Sequence, residues 1–271
     1  MRIGVSSLAW NRAADEAVAA LLKERGIAFI DVVPSKYLSD LNCPSREEAV
    51  GVRQWWQEWG IEIAGMQALL IGTNGLNVFG DSASRAAMLQ HLDRIATIGK
   101  WLGARVLTFG SPRNRDRSGI SDAIGQEMAI SFFRQLGEIA SGAGVIFCLE
   151  PNPADYGCNF MTTTIETVAM VRAVAHPSIR LQLDTGAIIM NGENPDAVIS
   201  AVADVVGHIH LSEPNLVELG TTEAPHSQIA RSIVSHGIDA NATVEMKPTG
   251  EQGQNLAAIE RALKFATAFY G

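Results

Sequence analysis

The sequence predicts an α/β fold, a single-domain (β/α)₈ TIM barrel over residues 1–271, and three observations carry that prediction. Eight short apolar runs alternate with eight longer stretches of helical period. Such regular alternation implies a parallel sheet with its helices packed outside. Polar residues able to bind metal stand directly after the later apolar runs, and a parallel barrel gathers its active site at the C-terminal strand ends. An open doubly wound sheet is the competing architecture. No G-x-G-x-x-G follows the first strand, which weakens its dinucleotide-binding version.

The elements follow in order. Ile3–Val5 is the first strand, and the helix over Ala13–Arg25 stops at Gly26. Ala28–Val33 leads to a helix over Ser45–Trp59 that stops at Gly60. Trp55, Trp56 and Trp59 on that helix read as packing against the barrel, with any exposed part available to an oligomer contact. Ile61–Met66 is followed by the Gly- and Asn-rich stretch Asn74–Ser84, a long loop, and by a helix over Arg85–Leu102 before Gly103. Val106–Phe109 precedes Ala123–Ala140. Val145–Leu149 precedes Thr164–Val174, whose start is marked by Thr163 and Thr164 with Glu166. Ile179–Leu183 with Pro195–Ala203, Val206–Leu211 with His226–Ser235, and Ala242–Glu245 with Ala257–Phe269 complete the set.

Composition narrows the function. Hydrophobic residues make up 47%, enough for a large core, and 18% charged is too low for a disordered chain. A net charge of −8 repels phosphate backbones, which argues against general nucleic-acid binding. Cys43, Cys148 and Cys158 lack C-x-x-C spacing and read as free thiols in a reducing compartment. No apolar run reaches the ~18 residues of a membrane span. Met1–Ser7 reads as a strand rather than a signal peptide, so the expected location is cytoplasmic.

The strand ends carry the chemistry. Glu150 follows strand 5 in Leu149-Glu150-Pro151-Asn152-Pro153, and Asp184 follows strand 6 in Gln182-Leu183-Asp184-Thr185-Gly186. Strand 7 contains His208-Ile209-His210-Leu211-Ser212-Glu213, and strand 8 ends in Val244-Glu245-Met246-Lys247. Glu150, Asp184, His210 and Glu245 are 34, 26 and 35 residues apart, one βα unit each time. Four adjacent strands thus present four metal ligands at one height. Carboxylates with one imidazole suit one divalent ion, Mn²⁺ first, with Mg²⁺, Co²⁺ or Zn²⁺ as alternatives. Taken alone, an Asp after a strand is a common helix cap. His208 shares a side with His210; His210, nearer the strand end, is the expected ligand, and His208 a deeper layer residue or a donor to the site.

These motifs, over the whole chain, resemble the xylose isomerase-like barrel superfamily, and within it the sugar-phosphate isomerase/epimerase group that includes the ketose 3-epimerases. The resemblance implies that Glu150, Asp184, His210 and Glu245 bind one ion and that Glu150 and Glu245 form the acid/base pair. It implies a carbohydrate substrate and proton transfer through a metal-stabilised enediolate. Dimers or tetramers are common in this family, so a homo-oligomer is expected. Two positions depart from the family pattern. Ala187 stands where many relatives have a substrate-contacting His, and Leu216 where the 3-epimerases have an Arg.

Further pocket candidates follow the other strands. Ser111, Arg113 and Arg115 lie in Gly110-Ser111-Pro112-Arg113-Asn114-Arg115, a turn able to cradle a phosphate or carboxylate, or else an ordinary solvated loop. Trp10, Lys36 and Gln67 follow strands 1 to 3. Asn152, His208, Glu213, Asn215 and Lys247 lie beside the proposed ligands. For each of these, capping, packing or a salt bridge is the competing reading. The leading function is a metal-dependent sugar isomerase or epimerase. The alternatives are a lyase of the inosose dehydratase type and a non-catalytic sugar-binding relative. An AP-site endonuclease is disfavoured, because it needs more histidine ligands and a basic groove.

Overall fold

A computed structural model describes residues 1–250 and 252–271. Eight parallel strands close in chain order, and the last pairs back onto the first. They are β1 (Ile3–Ser6), β2 (Phe29–Val32), β3 (Glu62–Met66), β4 (Val106–Phe109), β5 (Ile146–Leu149), β6 (Ile179–Asp184), β7 (Val206–Ser212) and β8 (Ala242–Glu245). The expected strands are all present, with ends that differ by one residue or so. Around them lie α1 (Asp15–Glu24), α2 (Pro34–Tyr37), α3 (Arg46–Glu58), α4 (Ser82–Leu102), α5 (Asp122–Ala143), α6 (Thr164–Val174), α7 (Thr185–Met190), α8 (Pro195–Val202), α9 (His226–Ser235) and α10 (Gln252–Tyr270).

Local chemistry explains the boundaries. Asp81 caps α4 by accepting from the Ser84 backbone N–H, which starts that helix three residues before the sequence reading. At φ +85°, Gly103 ends it. Thr163 caps α6, and Glu166 reaches back to the Thr162 N–H. The periodicity does not reveal α2 and α7, because neither is long enough to show an apolar stripe. Both begin directly at a strand end, α2 on Pro34 and α7 on the Asp184 cap.

Strand register sets the height of the site. Asp184 pairs with His210, and Ser212 with Glu245, while Glu150 donates its N–H to the Phe109 carbonyl just past the last rung of β4 and β5. The site therefore hangs on the most regular part of the molecule. Outside the barrel the core is dense. Phe109 of β4 meets Phe133 of α5 edge to face at 5.3 Å, and Phe132 stacks in the same manner at 5.5 Å. Of the α3 tryptophans, Trp56 is fully buried and Trp55 and Trp59 are partly so. No described helix is long and apolar enough to cross a membrane. Truncating the fully buried ring in Phe133→Ala should cost about 3–5 kcal/mol, read as a shift in the midpoint of urea unfolding.

Candidate metal centre

Glu150, Asp184, His210 and Glu245 converge at the C-terminal mouth of the barrel, all buried, with one ligand atom from each within 4.8 Å of the others. His210 Nδ1 is the hub. It lies 2.8 Å from Glu150 Oε1, 3.4 Å from Glu245 Oε2 and 4.0 Å from Asp184 Oδ2. Each carboxylate is held from behind. Asp184 Oδ1 accepts from the Ala187 N–H at 2.7 Å and the Ser212 hydroxyl at 2.9 Å, leaving Oδ2 toward the hub. The helix-cap and ligand readings of Asp184 are therefore compatible, one oxygen serving each. Gln67 Nε2 donates to Glu245 Oε1 at 2.5 Å, and Asn152 Nδ2 to Glu150 Oε2 at 3.2 Å. Gly110 is required here, since a Cβ at that position would collide with the Glu150 carboxylate.

The electrostatics of this cluster call for a cation. Burial pushes the Asp184 carboxyl up to about 6, and the charge of Glu150 adds to that. Burial likewise pushes Glu245 up to about 8, against the pull of His210 and with the push of Glu150 and Asp184. Burial would lower His210, but the three carboxylates outweigh it and raise the imidazole to about 10. No described Lys or Arg side chain is hydrogen-bonded or ion-paired to these carboxylates. Three oxygen donors and one nitrogen around a common centre fit one hard or borderline divalent ion, with His210 Nδ1 as the nitrogen ligand.

Two adjoining cavities open onto the cluster. The larger, about 650 Å³, runs toward Leu70, Ile71, Leu76, Ser111 and Arg113. The smaller, about 270 Å³, is bounded by Asn152, Tyr156, Asp184 and Ala187. Glu150, Glu245, Leu216 and Lys247 line both. Of the pocket candidates, Gln67, Ser111, Arg113, Asn152 and Lys247 thus reach the mouth.

Six others are placed differently. Trp10 is turned away by the chain after β1; its indole donates to Asp15 at 2.6 Å and packs on Trp56. Lys36 donates to the carbonyls of Ser7 and Trp10, at 3.1 and 2.9 Å, and binds the first two loops together. Arg115 is fully buried and donates to the Glu150 backbone carbonyl at 2.8 Å, so it props the ligand strand rather than facing a substrate. His208 lies one layer below His210, bonded to Asp31. Asn215 is exposed, and its N–H donates to the Tyr156 hydroxyl at 2.8 Å. Glu213 borders the smaller cavity, but its carboxylate is committed to His226 at 3.0 Å, the Gly220 N–H at 3.0 Å and the Thr222 hydroxyl at 2.5 Å. Burial would raise that carboxyl, yet these hydrogen bonds, led by His226, hold it below its ordinary value.

Sequence reasoning missed Asp31 and Ser212. An acid inside the apolar run Ala28–Val33 was the available sign of Asp31. The Ser212 contact depends on the register of two strands and leaves no local mark.

Fold and site define a class, a parallel eight-stranded barrel with a carboxylate-rich metal centre at its C-terminal mouth. The chain belongs to the xylose isomerase-like TIM barrel family, whose model matches residues 19–268. It is similar to a D-psicose 3-epimerase of Ruminiclostridium cellulolyticum, 24% identical over 132 residues, a match that covers 48% of this chain and 45% of that protein. In structure it resembles the Clostridium cellulolyticum H10 D-psicose 3-epimerase solved with D-tagatose, with TM-score 0.82, 18% identity and 100% and 99% of the two chains covered. It also resembles the 3-keto-D-glucoside 4-epimerase of E. coli, with TM-score 0.78, 15% identity and 99% of each chain covered. At these identities the structural likeness speaks for the fold.

The raised carboxyls give the metal-free protein a defined pH response. Both Asp184 and Glu245 sit above their ordinary values, so their contribution to stability is complete at low pH and is lost as pH rises through about 6 and about 8. A bound dication replaces those protons. The rise in melting temperature on adding Mn²⁺ should therefore be larger at pH 8 than at pH 5.5; scanning calorimetry showing the reverse order would contradict this account.

Proposed function

We propose that the protein is a divalent-metal-dependent isomerase or epimerase of a sugar or sugar phosphate, with Mn²⁺ held by Glu150, Asp184, His210 and Glu245. The observation that carries this reading is the placement of two buried glutamates at the ends of β5 and β8. They stand three strand positions apart in the closed ring, and both line both cavities. The family resemblance implies that the two carboxylates face the reacting carbon from opposite sides.

A bound divalent ion supplies Lewis acidity that makes a C–H beside a carbonyl easier to deprotonate. Glu150 and Glu245 do the proton transfer. One removes the proton from its face of the substrate. Delivery by the other to the opposite face inverts the centre, whereas delivery to the neighbouring carbon exchanges aldose and ketose. Asn152 and Gln67 hold the two carboxylates in place through their amide donors. The names of the similar proteins, ketose and keto-glucoside epimerases, support a keto-sugar substrate for this chain as well.

Substrate recognition centres on the larger cavity. Within the Ser111–Arg115 turn, Ser111 and Asn114 bond each other, Asn114 also holds the Leu76 carbonyl, and Arg115 is buried. That leaves the exposed Arg113 facing the cavity. It is the donor available to a phosphate or a sugar hydroxyl. The dehydratase alternative draws on the same metal chemistry, and the alternative of a non-catalytic sugar-binding relative draws on Ala187 and Leu216, which present apolar side chains to the cavities where the family pattern has His and Arg. We also infer a cytoplasmic protein that does not bind nucleic acid, given its acidic charge, and that forms a homo-oligomer, as its family commonly does.

Glu150→Gln and Glu245→Gln should each abolish incorporation of solvent deuterium into a turned-over ketose, followed by NMR with Mn²⁺ present. Retained exchange in both variants would rule out the acid/base assignment, and loss of water from the sugar in the wild type would favour the dehydratase. Arg113→Ala should raise KM for phosphorylated ketoses more than for free ones. Equal effects on the two substrate groups would remove the phosphate contact.

A further inference from the structure

A second buried cluster lies directly beneath the metal centre. Asp31, His208 and His210 each bring one polar atom within 4.8 Å of the other two. A second metal ion does not fit them. His208 Nε2 and Asp31 Oδ2 are 2.6 Å apart, the separation of a short charge-assisted hydrogen bond with a proton between the atoms. On the other side of the ring, His208 Nδ1 meets the Asn241 carbonyl at 2.6 Å. A carbonyl only accepts, so Nδ1 carries a hydrogen. Both nitrogens of His208 are thereby committed, one to β2 and one to the segment entering β8.

Among the buried atoms left without a hydrogen-bond partner at this level of the barrel are His210 Nε2 and Asp31 Oδ1. Buried polar groups of this kind are rare, and each needs an explanation. The geometry of His210 supplies it. Nδ1 points at the three carboxylates, so a metal bound there takes the Nδ1 lone pair. The single proton of the neutral ring then belongs on Nε2, and that N–H needs an acceptor in the barrel interior. Asp31 has an oxygen without a partner, and its carboxylate and the His210 ring each bring an atom within 4.8 Å of the other, a separation that a small shift or one water can bridge. The barrel makes room for it at Gly65 of β3, where a Cβ would come within 2.5 Å of Asp31 Oδ1.

We infer that Asp31 is a positioning residue for the metal centre. Its carboxylate accepts the Nε2–H of His210, directly or through one buried water, and so fixes the tautomer that turns Nδ1 to the metal. His208 holds Asp31 in place for this role from the opposite oxygen. The inference rests on reading Glu150, Asp184, His210 and Glu245 as a metal site. It adds a residue from the far side of the barrel that touches neither ion nor substrate.

The test compares Mn²⁺ binding by calorimetry in the wild type and in Asp31→Asn, a near-isosteric change. Loss of such an outer hydrogen bond to a ligating histidine should raise the Mn²⁺ dissociation constant roughly 10- to 100-fold. An unchanged constant in a folded variant overturns the inference. Should Asp31→Asn fail to fold, the wild type alone decides. In the Mg²⁺-loaded protein with ¹⁵N-labelled histidine, His210 should appear by NMR as the Nε2–H tautomer with a slowly exchanging proton. An unprotonated Nε2 would refute the role. A wild type that binds no Mn²⁺ would instead refute the metal site itself, so the two failures are distinct.

Discussion

Three carboxylates crowd around one imidazole inside the barrel mouth, and the surrounding structure is organised by the need to hold them there. At separations of ~4 Å and an effective dielectric of ~20, each pair of like charges repels by about 4 kcal/mol. A single hydrogen bond contributes only about 1 kcal/mol net. The donors behind the carboxylates, Ser212, Ala187 N–H, Gln67 and Asn152, can therefore aim the oxygens but cannot hold three ionised groups together. The strands force the convergence, and a dication removes the repulsion. This is why the ligands sit at rungs of the strand ladder, where the backbone has least freedom to relax away.

The same constraint explains the supporting layer. A ligand strand end that must not move needs its backbone anchored as well as its side chain. Arg115 supplies this for Glu150 by binding its carbonyl from within the core. Glu213, next in sequence to Ser212, anchors the end of β7 to α9 through His226, whose other nitrogen meets Tyr270 of α10. These contacts fix the loops from which the cavity walls are made, and Glu213 itself borders the smaller cavity.

Much of this was legible in the sequence, for identifiable reasons. The eight strands and their flanking helices show because burial on both sheet faces makes continuous apolar runs, and because the helices carry one apolar stripe. The four converging residues show because parallel strand ends must meet at one rim. What did not show are side-chain directions after the strand ends. Trp10, Lys36 and Arg115 follow strands just as Gln67 does, yet they point into the loop layer or the core, and no periodicity governs a loop residue. The partnership of Asp31 with His208 joins residues 177 positions apart across the barrel interior, a contact only closure creates.

The two departures from the family pattern gain meaning from the backbone around them. Leu216 lies at φ +57° and its neighbour Asn215 at +61°, left-handed values that Asn tolerates and Leu does not adopt without cost, of order 1–2 kcal/mol. The turn is held in that shape from both sides, by the Tyr156 hydroxyl on the Asn215 N–H and by the Lys247 N–H on the Leu216 carbonyl. Ala68, at φ +56°, forms part of the larger cavity wall beside Gln67. Strained conformations persist where surrounding contacts impose them, and they concentrate at functional sites. In an unconstrained loop a leucine would relax toward ordinary φ. Leu216 is instead locked with its side chain facing both cavities. The apolar wall at this position is thus a fixed part of both cavities.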